Sequence, residues 1–198
     1  MAAAAGPSGL RGVPLADADL DAVLELNQHW VPHVGSLERG ALAALVDQSE
    51  LAVGLWRDGI EGGSADPSAL DGFVIVMGPG ADYRSPNYRF FSERHELFTY
   101  VDRIAVAPAA QGRGVGRLLY DLVVGHAARQ GSPFVCAEVN LEPPNPDSLA
   151  FHHSMGFVDA GTQWTYDDTV QVQLLERPVD RSEPRRDRHG EAPAGSVG

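Results

Sequence analysis

The stretch from residue 97 to residue 139 most constrains the fold, because strand-like and helix-like patterns alternate there around a glycine-rich loop. The apolar run LFTYVDRIAV (97–106) predicts a strand that ends before Pro108. Apolar residues at positions 115, 118, 119, 122 and 123 then have the spacing of an amphipathic helix, which ends near Gly131. The nearly apolar run FVCAEV (134–139) predicts a strand covered on both faces. This succession indicates helices packed on a sheet.

The rest of the chain extends the alternation in both directions. The patterns predict an α/β (α+β) fold in which a mixed central sheet of about six to seven strands is flanked by helices. The folded domain is predicted to span residues 11–178, between disordered segments at 1–10 and 179–198. In chain order, the predicted elements are a strand at RGVPL, helices at 17–30 and 36–48 (the second capped by Ser36), strands at 51–56 and 72–77, a long loop at 78–96, the elements described above, a helix capped by Asn145, and a closing hairpin of FVDAGTQWTY and VQVQLLE.

The charge and composition exclude several classes of partner and site. The formal net charge is −12 and the pI is about 4.8, which argues against binding to nucleic acid or to an anionic membrane surface. All 15 basic residues are arginines, so no lysine-dependent phosphate loop is present. The single Cys136 cannot form an internal disulfide or a cysteine metal cluster. No export signal or long apolar stretch stands in the sequence, so a cytoplasmic protein is expected.

The segment QGRGVGR (111–117) carries glycines at alternate positions. A dinucleotide-binding turn would need its third glycine where Arg117 stands, and no strand runs directly into Gly112. The remaining mechanism is a set of backbone N–H groups at a helix N-terminus, where unpaired donors and the helix dipole bind a pyrophosphate. Arg113 and Arg117 add positive charge in an otherwise acidic protein. A simple strand–helix connector would need only two glycines and no arginine.

Two motifs resemble those of the GNAT superfamily of acyltransferases. QGRGVG (111–116) matches the family signature Q/R-x-x-G-x-G/A, and YVDRIAVAP supplies the strand and terminating proline before it. NPDSLAFHHSMGF (145–157) is similar to the family segment N-x-x-A/S-x-x-F/L-Y-x-x-x-G-F. The resemblance covers roughly residues 11–177. It implies the GNAT fold, in which a splayed strand pair forms the acyl-CoA cleft.

The resemblance also implies acetyl-CoA as acyl donor and direct transfer of the acetyl group to a primary amine of a small molecule or peptide in a ternary complex. No metal is expected, because the histidines of the chain are interpreted as isolated surface residues. Backbone groups along the strand before the loop would bond the pantetheine arm, and the loop amides would hold the pyrophosphate. Asn145 would contact the pantetheine or acetyl region, or would only cap the helix that follows. The residues implied for acetyl-CoA are Ile104, Ala105, Val106, Gln111, Gly112, Arg113, Gly114, Val115, Gly116, Arg117, Asn145, Ser148 and Phe151.

Acyl transfer to an amine needs a base, because an ammonium cannot attack, and the departing thiolate benefits from an acid. Glu138 stands where ribosomal-protein N-terminal acetyltransferases have a proposed base glutamate; the alternative is a structural glutamate paired with an arginine. Tyr100 and Asp102, which share one strand face by alternation, are further catalytic candidates. Where the family has a tyrosine as general acid, this chain has His152, which serves either as the acid or only in binding.

The sequence defines the acceptor side least. The resemblance implies a groove between the first two helices and the loop before the splayed strand, where aromatic and acidic groups suit a cationic amine. An antibiotic, a small metabolite and a peptide N-terminus all fit, and an acyl-CoA-binding sensor without turnover is the alternative to an enzyme. The oligomeric state, monomer or homodimer, stays open. The residues expected to line the groove are Asn27, Trp30, His33, Tyr88 and Phe91, with His29, Tyr83, Asn87 and Phe90 on the same surfaces.

Overall fold

The structure, a computed structural model, describes residues 9–57, 67–165 and 168–180. Of the two segments predicted to be disordered, 1–10 and 179–198, residues 1–8 and 181–198 lie outside the described residues. The strands are β1 (Leu10–Pro14), β2 (Leu51–Arg57), β3 (Leu70–Met77), β4 (Thr99–Val106), β5 (Phe134–Glu142), β6 (Val158–Thr165) and β7 (Val170–Pro178). The α-helices are α1 (Leu20–His29), α2 (Arg39–Gln48), α3 (Pro86–Arg94), α4 (Val115–Gln130) and α5 (Pro146–Ser154).

All seven strands form one open sheet in the order β1-β2-β3-β4-β5-β7-β6. Each neighbouring pair is antiparallel except β4 and β5, which run parallel. The crossover between these two strands contains α4, since a parallel pair needs a long connection. β3 lies inside the sheet, and all 8 of its residues are buried, as its nearly unbroken apolar sequence requires. The predicted mixed sheet flanked by helices is confirmed.

Helices cover both faces of the sheet and form two apolar cores. On one face, α1, α2 and α3 pack against the sheet around the fully buried Phe73 and Tyr100. On the other face, α4 packs through Leu119 and Val123, and the segment that follows α5 contributes Phe157. Each fully buried side chain of this size stabilises the fold by roughly 1.5–3 kcal/mol. The two cores therefore fix the strands between which the candidate site lies.

β4 and β5 separate soon after they meet. Only two pairs, Thr99–Val135 and Tyr100–Cys136, join these strands in register, although both strands continue beyond them. Beyond the last pair, backbone groups that would bond a neighbouring strand face an opening instead. The splayed strand pair expected from the resemblance is therefore present, and it opens on the side of the sheet at which α4 begins.

Residues 78–96 were predicted to form a long loop, and this prediction was wrong, because the segment contains the helix α3. Ser85 caps the helix by accepting a hydrogen bond from the Tyr88 amide, and Pro86 occupies its first position. Tyr88 and Phe91 are both buried against the sheet. The segment is rich in aromatic residues, which have a modest helix propensity, so burial of this face decides its conformation.

Three boundaries also differ from the predicted ones. Helix α2 begins at Arg39, because the Ser36 hydroxyl accepts a hydrogen bond from a glutamine of α1 instead of capping α2. The fold extends slightly past its predicted limits, since Leu10 is buried in β1 and the Val179 amide donates to a backbone carbonyl.

No helix in the described ranges is long and apolar enough to cross a membrane.

Candidate functional site

A cleft of about 1220 Å³ opens where β4 and β5 separate. Its rim is formed by the loop before α4, the start of α5 and the connection between α1 and α2. Side chains from β4, β5 and α4 form its floor. A cleft of this size, with convergent polar groups, is the usual form of a site for a cofactor-sized ligand.

The loop before α4 offers backbone N–H groups to an anion. The amides of Gln111 and Arg113 donate to carbonyls of the preceding turn at 3.3 Å, whereas those of Gly112 and residues 114–116 have no acceptor among the described residues. Gly114 precedes the helix and provides no side-chain cap, so the positive end of the helix dipole faces the cleft uncovered. Arg117 lines the same rim. The loop therefore fits a pyrophosphate, although Gln111 and Arg113 do not contribute free amides as expected.

The three glycines of this loop serve two purposes. Gly112 and Gly114 have φ angles of +71° and +85°, and nothing lies within 4 Å of the place where a Cβ would stand. Glycine adopts this backbone without strain and leaves the space above it free. A Cβ on Gly116 would stand 3.0 Å from the Phe151 ring. Gly112 and Gly114 thus keep the anion site open, and Gly116 lets α5 approach α4.

One edge of β4 presents its backbone to the cleft. The Ala107 amide donates to the carbonyl of Asp71 in β3 at 2.9 Å, so by alternation the backbone groups of Ile104 and Val106 point away from β3. The Val106 carbonyl accepts a hydrogen bond from the Trp30 indole N–H at 2.9 Å. The groups of Ile104 and the Val106 amide are thus available to the amides of a pantetheine arm, and Trp30 shares the Val106 carbonyl.

Most residues that the resemblance implies for acetyl-CoA border this cleft. Arg113 does not, because its guanidinium is more than half exposed and stands 4.0 Å from the Asp71 carboxylate. Asn145 caps α5 by accepting a hydrogen bond from the Ser148 amide at 3.3 Å, and its contact with acetyl-CoA stays a prediction. The residues that line the cleft are Ile104, Ala105, Val106, Gln111, Gly112, Gly114, Val115, Gly116, Arg117, Asn145, Ser148 and Phe151.

Glu138 of β5 places a buried carboxylate in the floor of the cleft. Its Oε1 accepts a hydrogen bond from the Tyr100 hydroxyl at 2.9 Å, whereas Oε2 has no hydrogen-bond partner among the described residues. Burial, helped by the charge of Asp102 and opposed by the Tyr100 hydroxyl and the nearby Asn87 amide, raises the pKa of Glu138 from 4.5 to about 8. A carboxylate with such a pKa and one free oxygen is suited to take up a proton near neutral pH.

Asp102 supplies a second carboxylate from a bulge in β4, where it has no partner in the register with β3. It accepts a hydrogen bond from the Tyr83 hydroxyl and lies 3.1 Å from Nε of Arg103. Burial raises the pKa of Asp102, and the Arg103 charge opposes that effect. Asp102 and Glu138 both line the cleft. Tyr100, the third catalytic candidate from these strands, is fully buried and does not line it.

His152 lies beside a tyrosine that the sequence analysis missed. Its Nδ1 is 2.7 Å from the Ser148 carbonyl, and its Nε2 is 2.6 Å from the Tyr120 hydroxyl. Burial lowers the pKa of His152 and raises the pKa of Tyr120, so both groups are neutral near pH 7. Tyr120 lines the cleft from α4. Its helical spacing from Gly116 is the signal that could have identified it, because residues four apart share a helix face.

The acceptor side differs most from the expectation. Trp30 and His33 line the cleft, together with Tyr83 and Asn87 from the same predicted surfaces. The other three principal candidates do not line it, because each is held in the interior. The Asn27 side chain bonds Arg103 and Gly35, the Tyr88 hydroxyl donates to the Gly78 carbonyl, and Phe91 is fully buried.

Comparison with known proteins finds one matching family model and a similar curated enzyme. Residues 81–157 match the model of the acetyltransferase (GNAT) family. An L-methionine sulfoximine/L-methionine sulfone acetyltransferase of Salmonella typhimurium is 26% identical over 140 residues, which are 71% of this chain and 75% of that protein.

Solved structures share the fold of this chain. Arabidopsis thaliana NAA60 in complex with acetyl-CoA superposes with a TM-score of 0.66 at 15% identity, covering 86% of this chain and 98% of that one. The ribosomal-protein-S18-alanine N-acetyltransferase from Escherichia coli superposes with a TM-score of 0.61 at 19% identity, covering 91% of this chain and 99% of that one. The expected GNAT fold is confirmed.

Proposed function

We propose that this chain, whose residues 81–157 match the model of the acetyltransferase (GNAT) family, transfers an acetyl group from acetyl-CoA to a primary amine of a small molecule or peptide. Both substrates would be bound at once, and the amine would attack the thioester directly. One observation carries the proposal: a single cleft joins free backbone amides at the start of α4 to a buried carboxylate, Glu138, with an unpartnered oxygen.

The donor side supports acetyl-CoA through two groups of contacts. The amides of Gly112 and residues 114–116, together with Arg117, would hold the pyrophosphate at the rim. The exposed backbone of Ile104 and Val106 would bond the amides of the pantetheine arm as a neighbouring strand would. These contacts lead the thioester toward the floor of the cleft, where Glu138 lies.

The floor of the cleft supports proton removal from an amine. Glu138 Oε2 would accept the ammonium proton, and a pKa of about 8 leaves roughly a tenth of this carboxylate ionised at pH 7. Asp102, whose charge Tyr83 and Arg103 stabilise, would attract the cationic acceptor without accepting the proton itself. The neutral nitrogen would then attack the thioester carbonyl, and a general base of this kind contributes about 10²–10⁴ in rate.

The acceptor would be a cation, because two carboxylates and the Trp30 ring border its side of the cleft. Two acceptor types deserve a direct test. The Salmonella relative bears the name of an acetyltransferase for L-methionine sulfoximine and L-methionine sulfone, and the Escherichia coli structure that of one for a ribosomal-protein alanine. The acceptor panel therefore contains amino-acid sulfones and peptides with a free N-terminal alanine.

Acetyl-CoA binding is tested by thermal unfolding with and without the ligand. At a concentration of about 100 times Kd, bound acetyl-CoA would stabilise the wild type by about 2.7 kcal/mol. Gly114→Glu would abolish this stabilisation, since it places a negative charge at the anion site. Gly114→Ala adds a side chain at the same strained φ of +85° without the charge, so it measures the effect of backbone strain alone. Gly40→Glu adds the same charge on α2, where space is open, and would keep the stabilisation. Absence of any effect in the wild type would refute acetyl-CoA binding.

Release of free CoA thiol distinguishes an enzyme from a sensor that binds acyl-CoA without turnover. The wild type would release thiol with at least one amine of the panel, and Glu138→Gln would lower kcat by about 10²-fold or more while acetyl-CoA still binds. Binding of acetyl-CoA without thiol release across the panel would favour the sensor.

A further inference from the structure

We propose that the Tyr120 hydroxyl, held in place by His152, protonates the CoA thiolate as it leaves. The proposal rests on the proposed acetyl transfer and adds a catalytic residue to it. It also changes the role of His152, which the sequence analysis considered as the general acid, to that of a positioning residue.

The position of Tyr120 ties it to both halves of the cleft. It lies one helical turn beyond Gly116, on the helix whose start would hold the pyrophosphate. The Tyr120 ring contacts the rings of Phe151, His152 and Phe157, with centroid distances of 6.0, 5.3 and 5.2 Å. The ring is fully buried, Tyr120 lines the cleft, and its hydroxyl is held by the 2.6 Å contact with His152 Nε2. Glu138 lines the same cleft, and burial, helped by the Glu138 charge, raises the pKa of Tyr120.

The hydrogen bonds of His152 determine which group carries the mobile proton. A carbonyl only accepts, so Nδ1–H of His152 donates to the Ser148 carbonyl at 2.7 Å. Because burial keeps the imidazole neutral, Nε2 has a lone pair and no proton. In the 2.6 Å contact, the Tyr120 hydroxyl is therefore the donor and His152 the acceptor. His152 has no proton to offer toward this side, whereas Tyr120 has one.

The proton balance of the leaving step follows from this arrangement. As the bond between the acetyl carbon and sulfur breaks, its electron pair goes to sulfur. The Tyr120 hydroxyl rotates about its C–O bond from His152 Nε2 to the sulfur, and its proton forms the S–H bond. Glu138, which has passed the ammonium proton to water, takes the extra proton of the acylated nitrogen. An equivalent proton returns through water in the cleft to the Tyr120 oxygen, so that one proton is released overall. His152 then accepts the hydroxyl again and restores its orientation.

The experiment uses CoA itself, so it does not depend on knowing the acceptor. CoA is bound to the full-length chain at alkaline pH, and the thiolate fraction of bound CoA is measured by its ultraviolet absorbance. A hydroxyl that donates to sulfur stabilises the thiolate, so Tyr120→Phe should lower the ratio of thiolate to thiol by about tenfold. Tyr88→Phe is the matched control, because it removes a buried hydroxyl that bonds Gly78 outside the cleft.

Two substitutions of His152 separate positioning from acid catalysis. In His152→Gln, an amide oxygen can still accept the Tyr120 hydroxyl, so the thiolate ratio should remain near that of the wild type. In His152→Leu no acceptor remains, and the ratio should fall severalfold. The opposite result, loss in His152→Gln with no change in Tyr120→Phe, would assign the proton to His152 and overturn the proposal. If Tyr120→Phe does not fold, the two His152 variants decide alone.

The outcomes keep this proposal distinguishable from the proposed function. A wild type that does not bind CoA overturns both. A wild type and Tyr120→Phe that bind CoA with equal thiolate ratios overturn only the role of Tyr120 and leave acetyl transfer standing. With an amine acceptor in hand, Tyr120→Phe should lower kcat by about 10²-fold and leave KM for acetyl-CoA unchanged.

Discussion

The substitution Glu138→Gln tests the electrostatics of the cleft floor without any substrate. Glutamine keeps the size and shape of the side chain and removes its charge. The pKa of Glu138 is about 8 in the folded chain against an ordinary value of 4.5. Since the folded pKa is the higher of the two, the contribution of Glu138 to stability is complete below pH 4.5 and is lost as the pH rises through 8.

The magnitude follows from the difference between these two pKa values, which is about 3.5. One pKa unit corresponds to about 1.36 kcal/mol, so the whole effect approaches about 5 kcal/mol. A small part is already lost at pH 5, and the free energy of unfolding of the wild type should therefore fall by about 4 kcal/mol relative to Glu138→Gln between pH 5 and pH 9.

The assay is denaturant-induced unfolding of both chains at pH 5, 7 and 9. Glu142→Gln removes an exposed carboxylate at the end of the same strand, and its stability should follow that of the wild type at each pH. If the difference between wild type and Glu138→Gln does not change with pH, Glu138 is not a buried, proton-binding carboxyl, and its assignment as the base loses its physical basis.

Three further predictions concern neighbouring groups. Tyr100→Phe removes a hydrogen bond that lowers the pKa of Glu138, so the profile of kcat/KM against pH should move to higher pH by about one unit; an unchanged profile would contradict the contact. Gly116→Ala places a Cβ 3.0 Å from an aromatic ring of α5 and should destabilise the chain by about 1–3 kcal/mol in denaturant, whereas Gly40→Ala, on an open helix surface, should not; equal effects would refute the packing argument. Acetyl-CoA should change tryptophan fluorescence in the wild type but not in Trp30→Phe, because the Trp30 indole bonds the strand edge that the pantetheine would occupy. A fluorescence change of the same size in Trp30→Phe would come from another tryptophan and would contradict this prediction.

The sequence was sufficient where local rules decide the structure. Helix α4 ends at Gly131, which has a φ of +75°, as the pattern of apolar residues and the glycine predicted. The glycine loop was located because backbone conformation and anion binding both demand particular residues at particular spacings. The strands were located because buried strands have apolar sequences that few other elements share.

The sequence was insufficient where tertiary contacts decide the structure. Helix α3 forms because Tyr88 and Phe91 are buried against the sheet, and these aromatics therefore belong to the interior and not to the acceptor groove. Tyr120 was hidden in an ordinary amphipathic pattern, since only the packing of α5 on α4 brings His152 to its hydroxyl. The hydrogen bond from the Trp30 indole to the Val106 carbonyl joins residues that are distant in the chain, and no local sequence pattern predicts it.

A crystal structure with acetyl-CoA bound tests the central claim most directly. The pyrophosphate should lie within hydrogen-bond distance of the amides of Gly112 and residues 114–116. The pantetheine arm should run along the backbone of Ile104 and Val106, and the thioester should lie between Glu138 and Tyr120. Acetyl-CoA bound outside the opening between β4 and β5, or a thioester beyond the reach of both side chains, would contradict the account.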